Sequence, residues 1–144
     1  MSATISDTDL APALTEYVQQ RGLHLDPDIL HLVQRTIALG EGTCTVNEFV
    51  RAVSMSRSAL DCTFRKHGLP APSRWLQFSR LLRAVIRLQQ EDRSVNSMAY
   101  ELGYSEASNL SLQLHRITGL RPGGARLLPW TAVVDAWLER EGCV

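Results

Sequence analysis

One short pattern occurs twice in this chain, and the repetition limits the folds open to it. Thr45, Phe49 and Val53 match Ser94, Met98 and Leu102 at a spacing of 49 residues, and Leu60 and Phe64 match Leu110 and Leu114 at a spacing of 50. In each copy a hydroxyl residue precedes apolar residues at helical spacing. A short turn follows, a second serine (Ser56, Ser105) opens another such set, and a glycine (Gly68, Gly119) stops it. Apolar residues at i, i+3 and i+4 line one side of an α-helix, so each copy predicts helix, turn, helix. Two copies point to duplication of a small three-helix unit, because a solenoid needs three or more repeats to bury a continuous core. The expected fold is all-α, with two helix-turn-helix subdomains.

Between the copies, Ser73 to Glu91 predicts a helix of about 19 residues, roughly 28 Å long. That length is close to the ~34 Å between successive major grooves on one face of a duplex. Trp75, Phe78, Leu82 and Val85, with Leu81 and Ile86 beside them, form its apolar stripe, and Gln89 is the one polar break. Arg74, Arg80, Arg83 and Arg87 lie among them, so this central helix is expected to pack and still show positive charge.

The flanks are different in character. Asp9 to Arg21 places Leu10, Leu14, Tyr17 and Val18 on one face before Gly22. Asp26-Pro27 then reads as an N-cap with proline at the first helical position, opening a helix with Ile29, Leu30, Val33 and Ile37 inward. Residues 1–44 are thus expected to be an acidic helical hairpin, bounded by Gly40-Glu41-Gly42-Thr43. Residues 45–126 form the double helix-turn-helix domain, opened by the capping box Thr45-Val46-Asn47-Glu48. Pro122, Pro129 and two glycines break up residues 121–129, and residues 127–144 end in an amphipathic helix, Trp130 to Glu141. Its stripe, Trp130, Val133, Val134, Trp137 and Leu138, is expected to pack on the domain, with a protein partner on the Trp130/Trp137 helix as the alternative.

The formal net charge of zero is a sum of unlike parts. Residues 45–126 hold 12 Lys and Arg against 6 Asp and Glu, residues 1–44 hold 2 against 6, and residues 127–144 hold 1 against 3. The +6 segment coincides with the repeat, which fits a polyanionic partner such as double-stranded DNA. All of the basic residues but Lys66 are arginine, whose planar fork suits phosphates and guanine edges.

Cys44, Cys62 and Cys143 are an odd number with no C-x-x-C pair, and His24, His31, His67 and His115 include no close pair on one helical turn. Neither a disulfide framework, a metal site nor a cofactor is expected. Without a phosphate loop or a nucleophile with a plausible base, an enzyme is not expected. No long apolar run or amino-terminal signal pattern occurs, so the reading is cytoplasmic, without a membrane partner.

Gly103-Tyr104-Ser105, Leu110, Leu114, Gly119, Pro122 and Arg126 resemble the signature of the AraC/XylS type of transcription regulators, and Trp75 to Ala84 is similar to that family's linker helix. The resemblance covers about 80 residues. It implies a DNA-binding domain of about seven helices that uses two recognition helices. The 44 preceding residues carry no strand pattern for the family's usual effector-binding barrel, so the chain resembles short, stand-alone members, and no small-molecule ligand is inferred.

In that family the groove-facing positions correspond here to Ser58, Asp61 and Cys62 in the first recognition helix and to Ala107, Ser108 and Leu112 in the second. The last of each set is commonly arginine in the family, and neither Cys62 nor Leu112 can make a bidentate contact to a base, so modest sequence specificity is expected. Arg57, Arg65, Lys66, Arg74, Arg116 and Arg126, with the helix starts at Ser56 and Ser94, are the candidate phosphate contacts. The alternative is a protein-interaction module on a degenerate helix-turn-helix scaffold. Its partner would dock through Leu112, or the acidic hairpin would lie over the basic face.

Overall fold

The computed structural model describes residues 9–39, 46–53, 55–91, 94–101 and 107–143, apart from the side chains of Val46 and Ala107. All the helices and strands assigned among them are α-helices, in the order α1 (Leu10–Gln20), α2 (Pro27–Leu39), α3 (Val46–Val53), α4 (Arg57–Lys66), α5 (Pro72–Gln90), α6 (Val95–Glu101), α7 (Ala107–Thr118), α8 (Pro122–Ala125) and α9 (Trp130–Glu141). The all-α expectation holds. None of these helices is long and apolar enough to cross a membrane. Thr45, Ser54 and the Gly103-Tyr104-Ser105 turn lie outside the described residues. The chain divides into two compact units, residues 6–79 and 80–142, with the division inside α5.

In the first unit α1 packs on α2, and α3 on α4. Leu10, Leu14 and Val18 of α1 and Ile29, Val33 and Ile37 of α2 are buried, whereas Tyr17 and Leu30 stay half-buried at the margin. The polar residue on the α1 core face is satisfied: the Thr15 hydroxyl donates to the Ala11 carbonyl at 2.8 Å and accepts from Gln34 Nε2 at 3.2 Å. Gly22, at φ +104°, closes α1 while the Leu23 N–H bonds back to the Val18 carbonyl, a helix stop that favours a residue without Cβ.

Helices α1 and α2 fall in the same compact unit as α3 and α4. Leu39 of α2 packs against Val50 of α3 and Leu76 of α5. The Arg35 guanidinium lies 5.9 Å from the Phe49 ring centroid, within the range of a cation–π contact. On α4, Arg57, Arg65 and Lys66 are all exposed.

In α5, Trp75, Leu76, Phe78 and Ser79 are buried with the first unit, and every residue from Leu81 to Ile86 is buried in the second. This corrects the expectation of exposed positive charge at one of the four arginines, Arg83. Arg83 lies within the fully buried stretch at 2% exposure, and Arg87 Nη1 pairs with Glu101 Oε1 of α6 at 3.1 Å. Of the four central arginines Arg74 is exposed, and Arg80 and Arg87 are half-buried. Within the stretch 81–86, buried all round, no side is left for a charged face, whatever the apolar period of the sequence.

In the second unit α7 packs against both α6 and α9. Met98, Ala99, Leu110, Leu114, Val133, Val134, Trp137 and Leu138 are buried there. Trp137 is at 0% exposure and Val133, Val134 and Leu138 are buried with it, so these four residues of the α9 stripe are core, while Trp130 is half-buried. The segment read as broken contains the single turn α8, with Pro122 at its start, where proline's missing N–H costs nothing.

Gln89, the apparent polar break, is a tertiary hook. Its Nε2 donates to the Ala125 carbonyl at 3.1 Å and to the Leu128 carbonyl as well. Gln89→Leu keeps the bulk but removes the donor from two carbonyls, and is expected to cost about 1–3 kcal/mol. Urea unfolding measures this, and an unchanged midpoint would show that the hook contributes nothing.

Candidate nucleic-acid interface

Each candidate reading helix is placed by one buried side. In α4 these residues are Leu60 and Phe64, both at 0% exposure. Ser56 caps the helix, its hydroxyl accepting from the Ala59 N–H at 3.1 Å. Gly68, at φ +70°, ends it with the Leu69 N–H returning to the Phe64 carbonyl. The helical period therefore turns Ser58, Cys62, Arg65 and Lys66 outward, all exposed, while Asp61 is half-buried at the edge of that face. Arg57 also lies outward, with its Nη1 3.4 Å from Asn47 Oδ1 of α3.

A second tie on α4 was not apparent in the sequence. His67 Nδ1 lies 2.9 Å from the Thr63 carbonyl, and His67 Nε2 lies 3.5 Å from Asp26 Oδ2. The other oxygen of the same carboxylate is 2.7 Å from His24 Nε2. Asp26, expected only as a helix cap, thus reaches from the start of α2 to the end of α4. The histidines looked scattered because these partners are separated by about 40 residues. Among the described residues no group of three or more His, Cys, Asp or Glu could hold a metal ion.

In α7 the inward residues are Leu110, Leu114 and Ile117. Ser108, Leu112, His115 and Arg116 are exposed, and the helix contains no carboxylate along its length. Leu112 is 58% exposed. His115, one turn beyond Leu112, was not singled out in the sequence, although its spacing of seven from Ser108 places it on the same face. Ala107 is the first residue of α7, but its side chain lies outside the described residues.

The other candidates divide by what they already hold. Arg74 is exposed near the start of α5. The Ser94 hydroxyl accepts from the Ser97 N–H at 3.1 Å, so, like Ser56, it serves first as a cap. Arg126 already holds two acceptors: its Nε donates to the Leu88 carbonyl at 2.8 Å and its Nη2 to the Glu91 carbonyl at 3.3 Å. Those groups close the end of α5, where carbonyls without helical partners attract a cation. A phosphate would have to compete with both.

With this geometry in view, residues 49–127 match the family model described as a helix-turn-helix domain, more than half of the chain. The chain belongs to the AraC-type helix-turn-helix family. It is 32% identical over 79 residues to the raffinose operon transcriptional regulatory protein RafR of Pediococcus pentosaceus, covering 55% of this chain and 28% of that protein. It is 29% identical over 85 residues to an AraC-like transcription regulator of Streptomyces antibioticus, covering 59% and 28%. Its identity to the HTH-type transcriptional activator RhaS of Pectobacterium carotovorum is 32% over 73 residues, covering 51% and 26%. The chain spans little more than a quarter of the length of these curated relatives. No solved structure matches it at comparable significance. The family is one of transcription regulators, not of enzymes.

The two kinds of arginine are separable by experiment. Arg126→Ala is expected to lower stability by about 1.5–3 kcal/mol, as for lost charge-assisted hydrogen bonds. Arg65→Ala, an exposed position, is expected to stay within about 0.5 kcal/mol of the parent. Thermal unfolding followed by circular dichroism checks both, and an Arg126→Ala protein that melts with the parent would return Arg126 to the phosphate set.

Proposed function

We propose that the chain is a DNA-binding transcription regulator that reads duplex DNA through α4 and α7, as a monomer and with modest sequence specificity. One observation carries the reading. Each of these helices buries one side and turns out a face on which basic groups outnumber acidic ones. Arg65 and Lys66 stand against the half-buried Asp61 in α4, and His115 and Arg116 stand with no carboxylate in α7. Membership of a helix-turn-helix family supports the same use, since in such units the second helix enters the major groove.

In this reading Arg65, Lys66, Arg74 and Arg116 hold phosphates, and Ser58, Asp61, Cys62, Ser108 and Leu112 face base edges. Phosphate contacts set register and supply affinity, whereas base contacts supply specificity. Lacking arginine at 62 and 112, the two faces forgo two bidentate pairs, each worth about 1–3 kcal/mol of discrimination.

A second reading, a protein-interaction module, is favoured by the exposure of Leu112 in unit 80–142, where Tyr100 and Leu127 are also exposed. Fluorescence anisotropy with mixed-sequence duplex separates the two. Four neutralised phosphates predict a slope of log affinity against log salt of about −3 to −4. Leu112→Arg is expected to raise affinity for most duplexes, and Arg65→Ala to lower it almost uniformly across sequences. Absence of binding at low salt, or weaker binding by a folded Leu112→Arg protein, would favour the interaction module.

A further inference from the structure

We infer that Leu112 is a base-reading side chain that packs on the C5 methyl of a thymine, making α7 selective for A·T over G·C pairs at that position. The inference rests on the DNA-binding reading above and assigns chemistry to one position within it. A lone exposed leucine means little on most surfaces. Leu112 differs in its placement, at the middle of the outward face of α7, with Ser108 one turn before it and His115 and Arg116 one turn after. This face joins an apolar centre to a basic last turn on a helix without a carboxylate, and its charge complements a polyanion.

Major-groove edges present donors, acceptors and a single apolar group, the thymine methyl. Leucine has no hydrogen-bonding atom, so against a G·C pair it would cover the guanine O6 and N7 or the cytosine amino group without replacing their water bonds. Against thymine the same side chain buries a methyl group. Both effects have the same sign. Ser108, whose hydroxyl can donate or accept, tolerates either purine or pyrimidine neighbours, so the discrimination within this face falls to Leu112.

The test replaces thymine with uracil, which deletes the methyl and keeps the pairing edge. The full chain is titrated at fixed low salt with a duplex of alternating deoxyadenosine and thymidine, and with the same duplex carrying deoxyuridine. The expected result is about fourfold tighter binding to the thymidine duplex, the effect of burying one methyl-sized group. In Leu112→Ala, an exposed helical position where alanine is well tolerated, the two affinities are expected to become equal with the salt slope unchanged. Equal binding of both duplexes by the parent protein, with the salt slope intact, would overturn the role of Leu112 and leave DNA binding standing. Discrimination that survives in Leu112→Ala would also overturn it, placing methyl readout elsewhere. Failure to bind either duplex would remove the inference together with the reading on which it rests.

Discussion

Burial of α5 along nearly its whole length is the constraint on which the rest of the structure depends. Its first turns give Trp75, Leu76 and Phe78 to one compact unit, and its remaining turns give Leu81, Leu82, Val85 and Leu88 to the other. These residues join the buried sets of α1, α2 and α4 in one unit and of α6, α7 and α9 in the other. A 60-residue unit buries only about 60% of the surface of its unfolded chain, so the tryptophan and phenylalanine supplied by α5 are a substantial part of what holds the first unit together. The end of the helix is closed accordingly, by Arg126 on the Leu88 and Glu91 carbonyls and by Gln89 on Ala125 and Leu128.

What could be read from the sequence was mostly local. Helix starts at Ser56 and Ser94, stops at Gly22, Gly68 and Gly119, and the inward sets Leu60/Phe64 and Leu110/Leu114 all follow from backbone capping and a 3.6-residue period. The outward faces of α4 and α7 follow from the same period, being what remains once the inward residues are placed. The uses of particular polar groups could not be read in this way. Gln89, Arg126 and Asp26 take partners 35 to 41 residues distant, and a carbonyl acceptor leaves no trace in side-chain pattern. Arg83 was misplaced for a related reason: apolar period reports one packed side, and it says nothing of a helix packed on every side.

The two candidate reading faces also differ in chemistry. That of α4 has a half-buried carboxylate, a thiol and the two cations of its last turn. That of α7 has a hydroxyl, an exposed leucine and a cation without any acid. Cations in the last turn of α4 suit its C-terminal dipole, so their charge is consistent with helix stability as well as with binding. A helix without acids gains affinity for any polyanion and has few means to choose among sequences, which leaves uncharged side chains to make the choice.

The segment that matches the family begins at Phe49, yet the compact unit around that residue begins well before it. Phe49 sits beside Arg35, Val50 packs with Leu39, and the end of α4 is tied to Asp26. The stretch that matches the family is therefore shorter on its N-terminal side than the compact unit to which its first half belongs. In this chain α1 and α2 share one compact unit with α3 and α4. Gene fusions or truncations drawn at the family boundary would cut through packed side chains, where a cut placed by contacts would not.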